Sequence, residues 1–342
     1  MGEEPDYDVR SVKGVGPVTG DKLTAAGIHT VFDLQTRGAT EIRQITGMDL
    51  DAAARIIEHA RATLQAAGRA TAMFASGADM RKRAEAVERI STGSHNLDEM
   101  FRGSLPEGKG GVETGAITEV YGEYGSGKTQ FCLKLAVMAQ LPKGKGGLDT
   151  DVVFVDCEEI YRYVMGRVDA MARSVGLDPE SVHGRITIVT PNNSDMLIAA
   201  LDRIEEAVRG GVRLLVIDGA MSHFRADYGV GGRDSFPPRA RAITRFVNRL
   251  KRIAALHNTA VVMSNQVRPR PEGFGDPIEP YGGTILAHTS TYRVYFNKVS
   301  EQTSKSRVSM ADSPRHSKKD FEVWLTATGP SDAPPGRGKK GK

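Results

Sequence analysis

A glycine-rich segment in the first half of the chain reads Gly122-Glu123-Tyr124-Gly125-Ser126-Gly127-Lys128-Thr129. It follows an apolar run, 117–121, that predicts a strand, and it precedes residues 130–139, whose apolar side chains recur at helical spacing. Glycines let a backbone wrap around an anion, and the amides at the start of the helix point at that anion. A glycine-rich turn that matches the pattern by chance is the alternative. We expect this segment, together with the adjacent Gln130, to bind a nucleoside triphosphate.

Two side chains of this segment have distinct expected roles. Lys128 would reach the β- and γ-phosphates, and the Thr129 hydroxyl would ligate Mg²⁺. A later apolar run, 214–218, ends in Asp218, which would hold the same ion through its water shell. An aspartate that ends a strand can also be a plain turn residue. The glycine-rich segment 122–129 upstream, which we call the phosphate-binding segment, favours the metal role.

Further polar residues end two other predicted strands. Hydrolysis needs a carboxylate that orients and polarises the attacking water, and Glu158 suits this role, with Asp156 and Glu159 as alternatives. The run 261–266 ends in two amides, of which Gln266 can hydrogen-bond a γ-phosphate and report its loss to the residues that follow.

Two long glycine-rich loops follow strands beside the expected nucleotide. The first spans Asp227–Pro238, and the second spans Arg268–Gly283, which we expect to form no regular element. Basic and aromatic residues on such loops suit single-stranded nucleic acid, through phosphate contacts and base stacking. A plain surface loop is the alternative. The arginines expected to bind DNA are Arg233, Arg239, Arg268 and Arg270.

The first part of the chain has a different character. Ala, Ile and Leu recur at helical spacing, and the segment Val12–Thr19, with Gly14 and Gly16, resembles a helix-hairpin-helix. In that motif, amides at a helix start hold a DNA phosphate. Residues 42–48 resemble a weaker second copy. The alternative is a structural helix turn that packs or contacts protein.

The order of apolar runs and helical segments predicts an α/β fold with a mostly parallel sheet and helices on both faces. The parallel strands are expected at 117–121, 152–156, 186–190, 214–218 and 260–264. Three later runs, expected to extend the sheet as antiparallel strands, lie at 292–296, 307–310 and 321–325. The predicted organisation is an N-terminal domain at 1–68, a linker at 69–92, an ATPase core at 93–329 and a disordered basic tail at 330–342.

Composition limits the class of protein only loosely. The 342 residues suggest two domains, and a net charge of +4 is weak support for a polyanionic partner. Two cysteines, Cys132 and Cys157, are too few to hold a fold together, which favours a reducing, cytoplasmic location. No apolar run approaches the roughly 18 residues of a membrane span, and no signal peptide is recognisable.

Several motifs together resemble the archaeal RadA recombinases, which are RecA-type ATPases. The similarity runs from about residue 9 to 328. It implies a RecA-like P-loop ATPase core with a small all-α helix-hairpin-helix domain before it. It also implies an ATP-hydrolysing enzyme that polymerises on single-stranded DNA and exchanges it into a homologous duplex. The motifs are GVGPVTGDKL (14–23), ISTGSHNLDEM (90–100), GEYGSGKTQ (122–130), SHFRADY (222–228), SNQV (264–267), GFGDP (273–277) and ILAHTSTYRVY (285–295).

The resemblance also implies roles for single residues. It assigns Glu158 to catalysis, pairs Gln266 with His288 in a nucleotide-dependent switch, and implies ATP and Mg²⁺ as ligands. The expected partners are single- and double-stranded DNA, other copies of the chain in a filament or ring, and recombination mediators. The remaining residues are Arg167, which would pack on adenine; Phe74, which would plug a neighbouring subunit or be an ordinary helix-start hydrophobe; and Asp312 and Pro314, which would cap a neighbour's ATP.

The chain departs from the family pattern in three places. Pro237 and Pro238 precede Arg239 in the first loop, and the second loop opens Val-Arg-Pro-Arg at 267–270 rather than with Met-Ala after the valine. The ATP cap, of the form D-x-P-x-L-P-E, has become Asp-Ser-Pro-Arg-His-Ser-Lys at 312–318. The altered cap motivates a rival interpretation, a recombination accessory that binds ATP and DNA without efficient strand exchange. A hexameric RecA-type helicase is a third.

Overall fold

The computed structural model describes residues 8–66, 76–102, 110–229, 236–269, 278–300, 303–316 and 319–335. These residues divide into two compact units, with the boundary between Glu85 and Ala86. None of the described helices combines the length and the apolar composition that a membrane span requires. The expected domain limits at 68, 92 and 329 remain predictions.

The first unit is helical. Apolar side chains from all of its first four helices, among them Leu23, Leu34, Ile42 and Ile57, form one buried cluster. Gly14 lies in the left-handed region with φ of 95°, and a Cβ there would come within 3.0 Å of Ile56, so the first hairpin approaches the long helix closely. After a 3-10 turn at Val9–Ser11, the helices are α1 (Pro17–Ala25), α2 (Val31–Gln35), α3 (Ala39–Thr46), α4 (Leu50–Ala66) and α5 (Gly77–Glu85).

The second unit alternates strands with helices. Its helices are α6 (His95–Arg102), α7 (Lys128–Met138), α8 (Tyr161–Ser174), α9 (Pro179–Gly184), α10 (Ser194–Arg209), α11 (Ser222–Tyr228), α12 (Phe236–His257) and α13 (Gly283–Thr289), with a 3-10 turn at Lys143–Lys145. Its strands are β1 (Arg89–Ile90), β2 (Val112–Glu113), β3 (Ile117–Gly122), β4 (Val152–Asp156), β5 (Ile186–Val189), β6 (Leu214–Asp218), β7 (Ala260–Pro269), β8 (Ile278–Pro280), β9 (Tyr292–Lys298), β10 (Lys305–Asp312), β11 (Asp320–Thr326) and β12 (Gly329–Ser331).

Ten of the described strands form one sheet in the order β12-β11-β10-β9-β3-β7-β6-β4-β5, with β8 paired to β7. The strands from β9 through β5 run parallel to one another. β4 and β6 are buried at every residue, as expected for parallel strands that are covered on both faces. In one buried apolar cluster, α6, α7 and α8 pack against one face of the sheet. In a second, α10, α12 and α13 pack against the other face.

This architecture confirms the α/β prediction and positions the site. Because β3, β4, β6 and β7 are parallel neighbours, their carboxyl ends meet at one edge of the sheet. The phosphate-binding segment follows β3, the acidic segment follows β4, Asp218 ends β6, and Gln266 lies on β7. Both cysteines are buried.

One strand direction was predicted wrongly. β9 was expected to be antiparallel, yet it pairs parallel with β3 and antiparallel with β10. The seven residues of α13, with short turns on either side, suffice to carry the chain back across the sheet and restore the parallel direction. The antiparallel part of this sheet edge begins after β9: β10 is antiparallel to β9, β11 to β10, and β12 to β11.

The expectation of disorder from residue 330 is also wrong for the described residues up to 335. Gly329–Ser331 forms β12, which pairs antiparallel with β11. The Asp332 carboxylate then accepts hydrogen bonds from the Ser94 hydroxyl at 2.5 Å and from the amides of His95 and Asn96 at 2.8 and 3.0 Å. These are the first residues of α6, whose orphan amides need an acceptor. The composition of this segment did not predict that it is ordered, because the order depends on specific contacts such as those of the Asp332 side chain.

The two expected loops and the expected linker are more regular than predicted. β7 extends to Pro269, and Ile278–Pro280 pairs with it, so part of the segment 268–283 is strand. In the first loop, 227–228 belong to α11, and α12 begins at Phe236, which puts Pro237 and Pro238 in a first helical turn where proline is tolerated. The described part of the linker contains α5 and β1.

Candidate active site

The phosphate-binding segment is closed around its own lysine. Gly127 precedes α7 with φ of 107°, and Lys128 Nζ donates to the carbonyl oxygens of Gly122 at 3.0 Å and Glu123 at 2.8 Å. A Cβ at Gly122 would lie 2.1 Å from the carbonyl oxygen of Phe296, so only glycine fits there. Burial lowers the pKa of Lys128, while the charges of Glu158 and Asp218 act in the opposite direction. The segment therefore holds the Lys128 ammonium group where it can bind an incoming phosphate.

Beside the lysine, Thr129 and Asp218 are in contact. The Thr129 hydroxyl donates to Asp218 Oδ1 at 3.2 Å, and the Ser264 hydroxyl donates to the same oxygen at 2.5 Å. Asp218 is fully buried, and its Oδ2 has no hydrogen-bond partner among the described residues. Burial raises the pKa of Asp218 to about 6. A buried carboxylate oxygen without a partner, next to a hydroxyl, fits a divalent cation.

Glu158 contacts the amide that was expected to act as a sensor. Gln266 Nε2 donates to Glu158 Oε1 at 2.8 Å, and the Ser222 hydroxyl approaches the same oxygen at 3.4 Å. Both alternatives to Glu158 are placed differently. Asp156 is buried and accepts from the amides of Tyr161 at 2.7 Å and Glu158 at 3.3 Å, so it shapes the turn. Glu159 is exposed, with a φ of 53°.

A cleft of about 540 Å³ opens next to the phosphate-binding segment. Gly125 and Gln130 line it from that segment, and Arg167 lines it from α8. Lys298, Ser306 and Leu325 complete its opposite side from the strands β9 to β11. The structure thus places Arg167, for which the resemblance implies a contact with adenine, in the same cleft as part of the phosphate-binding segment.

The expected ATP cap is anchored within its own chain. Asp312 ends β10, and the turn after Pro314 directs Arg315 to the buried Glu113, which also accepts from Tyr292 at 2.5 Å. His316 Nε2 donates to the Phe101 carbonyl at 2.9 Å, and burial lowers the pKa of His316. His316, which stands where the family pattern has leucine, and Arg315 before it therefore make polar contacts within this chain.

Other expected site residues are dispersed. His288 lies exposed on α13, Arg239 lies in the first turn of α12, and Arg268 lies near the end of β7. Gly14 and Gly16 belong to the first unit, where Gly16 precedes α1. Three expected residues fall outside the described residues: Phe74, Arg233 and Arg270.

Sequence reasoning missed four residues that contact the expected ones. Ser264 and Ser222 touch Asp218 and Glu158, while Arg225 donates to Gln266 Oε1 at 3.0 Å. The amide of Tyr281 donates to the Gln266 carbonyl at 3.1 Å. Ser264 was predictable, since it precedes two residues already singled out on a strand beside Asp218. Arg225 lies in the quoted motif SHFRADY, and Tyr281 had no signal; the contact that joins the two depends on the path of the chain after β7.

Comparison with known proteins agrees with this geometry. The model of the family described as Rad51 matches residues 82–333, nearly three quarters of the chain. The chain belongs to the Rad51 family. The first unit separately matches the SAM-like helix-hairpin-helix tandem over residues 7–62. The tandem description fits the two hairpins expected at 12–19 and 42–48.

Two proteins similar to this chain are both named DNA repair and recombination protein RadA. The protein from Cenarchaeum symbiosum (strain A) is 36% identical over 329 residues, which cover 96% of this chain and 79% of that protein. The protein from Aeropyrum pernix is 37% identical over 302 residues, which cover 87% of this chain and 89% of that protein. The likeness therefore spans both units.

Proposed function

We propose that this Rad51-family protein is an ATP-hydrolysing recombinase, which assembles on single-stranded DNA and exchanges it into a homologous duplex. One observation carries the proposal beyond family membership. Gln266 contacts Glu158 at the hydrolysis site, and the strand that bears Gln266 continues to Pro269, the stem of the second expected DNA loop. A change at the nucleotide can thus reach the DNA loop along one element.

ATP is the substrate that the site fits. Its phosphates would take over the hydrogen bonds of Lys128 Nζ, which now go to two loop carbonyls, and would face the amides at the start of α7. Mg²⁺, when bound with the triphosphate, would neutralise developing charge on the phosphate oxygens. Thr129 would ligate the ion directly, and Asp218 would hold it through water.

The hydrolytic step needs a base for the attacking water. Glu158 Oε1 is turned toward Gln266, and its side chain lies at the open edge of the sheet rather than in the core. It would accept the proton of the water as the oxygen attacks the γ-phosphorus, and Lys128 would balance the charge of the leaving oxygens. Arg167, on the wall of the cleft, would pack against the base.

The DNA contacts would come from three places. Arg268 and Arg239 stand beside the two loops, and Arg233 and Arg270 are proposed to act with them. The hairpin amides after Gly14 and Gly16 would hold duplex phosphates. His288 is proposed to act with Gln266 in the nucleotide-dependent switch. Phe74, Asp312 and Pro314 are proposed to act between neighbouring copies of the chain, and recombination mediators are proposed to help loading.

Electron microscopy with single-stranded DNA tests the proposal. We expect filaments with ATP and Mg²⁺ and their absence without nucleotide, together with ATP hydrolysis that DNA stimulates. Small oligomers under all conditions would favour the accessory interpretation, which the similarity to two proteins named DNA repair and recombination protein RadA does not favour. Unwinding of a forked duplex would favour a helicase instead.

A further inference from the structure

The side chain of Gln266 is held at both of its polar ends. Its Nε2 donates to Glu158 at 2.8 Å, and its Oε1 accepts from Arg225 at 3.0 Å. Since an amide is rigid and planar, any new acceptor that draws the Nε2 away from Glu158 must also move the Oε1 relative to Arg225. The bond between Gln266 and Arg225 therefore depends on what occupies the hydrolysis site.

Arg225 also contacts an aromatic ring after the second loop. Its guanidinium carbon lies 5.1 Å from the centre of the Tyr281 ring, and that of Arg268 lies 5.8 Å from the same centre. Both distances are within the range of a cation–π interaction. The ring of Tyr281 thus receives one arginine from α11, beside the hydrolysis site, and one from β7, at the stem of the DNA loop.

The backbone around Tyr281 is fixed to the same strands. Its amide donates to the Gln266 carbonyl at 3.1 Å, and its carbonyl accepts from Asn265 at 2.7 Å. Immediately before it, Arg268 and Glu279 face each other in the antiparallel pairing of β7 and β8, with the Arg268 Nε 2.6 Å from the carboxylate. The two flanks of the loop are therefore joined by backbone pairing, an ion pair and a shared ring.

Little empty space separates these groups. Arg225, Gln266 and Tyr281, together with Ser222 and Asn265, line a cavity of about 10 Å³, close to the minimum that one water molecule needs. A displacement of Gln266 would change its hydrogen bond to Arg225, whose exposed side chain also contacts the Tyr281 ring.

We propose that Arg225 and Tyr281 are positioning residues, which transmit the state of the hydrolysis site from Gln266 to the stem at Arg268 and Glu279. Arg225 does this by holding the Gln266 amide and the Tyr281 ring at once. The proposal rests on the proposed function. It deepens that function by naming the side chains through which ATP changes the affinity for DNA.

The test is the coupling between two ligands, because a purely structural role would not alter it. The dissociation constant of a fluorescent single-stranded oligonucleotide is measured with and without a non-hydrolysable ATP analogue and Mg²⁺. In the unmodified protein we expect the analogue to tighten DNA binding by about 5- to 150-fold, the usual range for coupled sites. In Tyr281→Leu and Arg225→Lys that factor should fall toward one.

Tyr281→Phe is the matched control. It keeps the ring that both guanidinium groups contact, so it should retain the coupling factor of the unmodified protein. In the coupling-deficient variants, the affinity for the analogue without DNA and the affinity for DNA without the analogue should be unchanged. Thermal unfolding midpoints verify that each variant is folded.

Two results would overturn the inference. One is a Tyr281→Leu variant with full coupling, and the other is an equal loss of DNA affinity with and without the analogue, which would mean that Arg225 or Tyr281 contacts DNA directly. If the unmodified protein has no coupling at all, the proposed function itself fails, and the inference fails with it. Coupling that is present in the unmodified protein and in every variant contradicts the inference alone.

Discussion

At the scale of single side chains, the site is a set of charged groups whose present hydrogen-bond partners would be replaced or supplemented by a bound nucleotide. Lys128 donates to carbonyls of its own loop, Asp218 keeps one buried oxygen without a partner among the described residues, and Glu158 shares Gln266 with Arg225. Buried charges without full compensation are costly. Binding of a metal–triphosphate complex would supply the missing partners, which ties nucleotide affinity to these residues.

Lys128→Ala should abolish stabilisation by nucleotide. At an ATP concentration of 100 times the dissociation constant, ligand binding contributes about 2.7 kcal/mol to the free energy of unfolding. The variant loses the group that reaches the phosphates, so its unfolding midpoint should be unaffected by ATP and Mg²⁺. Lys134→Ala, in the same helix and also buried, is the control that should keep the shift. Equal shifts in the two variants would contradict the role of Lys128.

Glu158→Gln should separate binding from hydrolysis. The substitution keeps a side chain of the same size beside Gln266 but removes the base, so the rate of ATP hydrolysis should fall by about 10²- to 10⁴-fold. Affinity for ATP should be nearly unchanged in a binding titration. Glu159→Gln, one position away and exposed, should hydrolyse ATP at the unmodified rate. A large loss in Glu159→Gln and none in Glu158→Gln would reverse the assignment.

At the scale of elements, the sequence predicted well where a strand is buried on both faces. β4 and β6 are continuous apolar runs that end in acids, and both were predicted at their observed bounds. The direction of β9 was not predictable from its own residues, because it depends on the path of the chain through α13. β12 was missed because Gly, Pro and Ser are not typical of strands, and long-range contacts hold it.

Asp332→Ala should weaken the attachment of this last strand. Asp332 acts as an N-terminal cap for α6, and the loss of a cap costs about 0.5–2 kcal/mol. Urea unfolding should detect the change, while ATP hydrolysis stays the same. Asp320→Ala, which removes an exposed carboxylate from β11, should cost less. Equal effects of the two substitutions would mean that the cap adds nothing.

The same carboxylate predicts a pH dependence. Burial alone would raise the pKa of Asp332, but hydrogen bonds from Ser94, Asn96 and His95 outweigh it and lower the pKa below the ordinary 3.8. Its contribution to stability is therefore present above pH 3.8 and is lost as the pH falls through the lowered value. The difference in unfolding free energy between the unmodified protein and Asp332→Ala should shrink over that window. A constant difference would contradict the assigned cap.

At the scale of the whole molecule, the parallel sheet explains why distant sequence motifs form one site. The segments that follow β3, β4, β6 and β7 are spread along the chain from Gly122 to Pro269, yet their strands are neighbours in the sheet. The motifs could therefore be recognised from the sequence, and so could their meeting edge. The contacts of Arg225 and Tyr281 could not, since they arise only once β7 and β8 pair.

The central claim is that ATP at this edge enables exchange of DNA strands. Its most direct test is the formation of joint molecules from single-stranded DNA and a labelled homologous duplex. The account predicts products with ATP and Mg²⁺, none with a heterologous duplex, none without nucleotide and none with Lys128→Ala. Joint molecules that form equally well without ATP or with Lys128→Ala, or that never form while ATP is hydrolysed and DNA is bound, would contradict it.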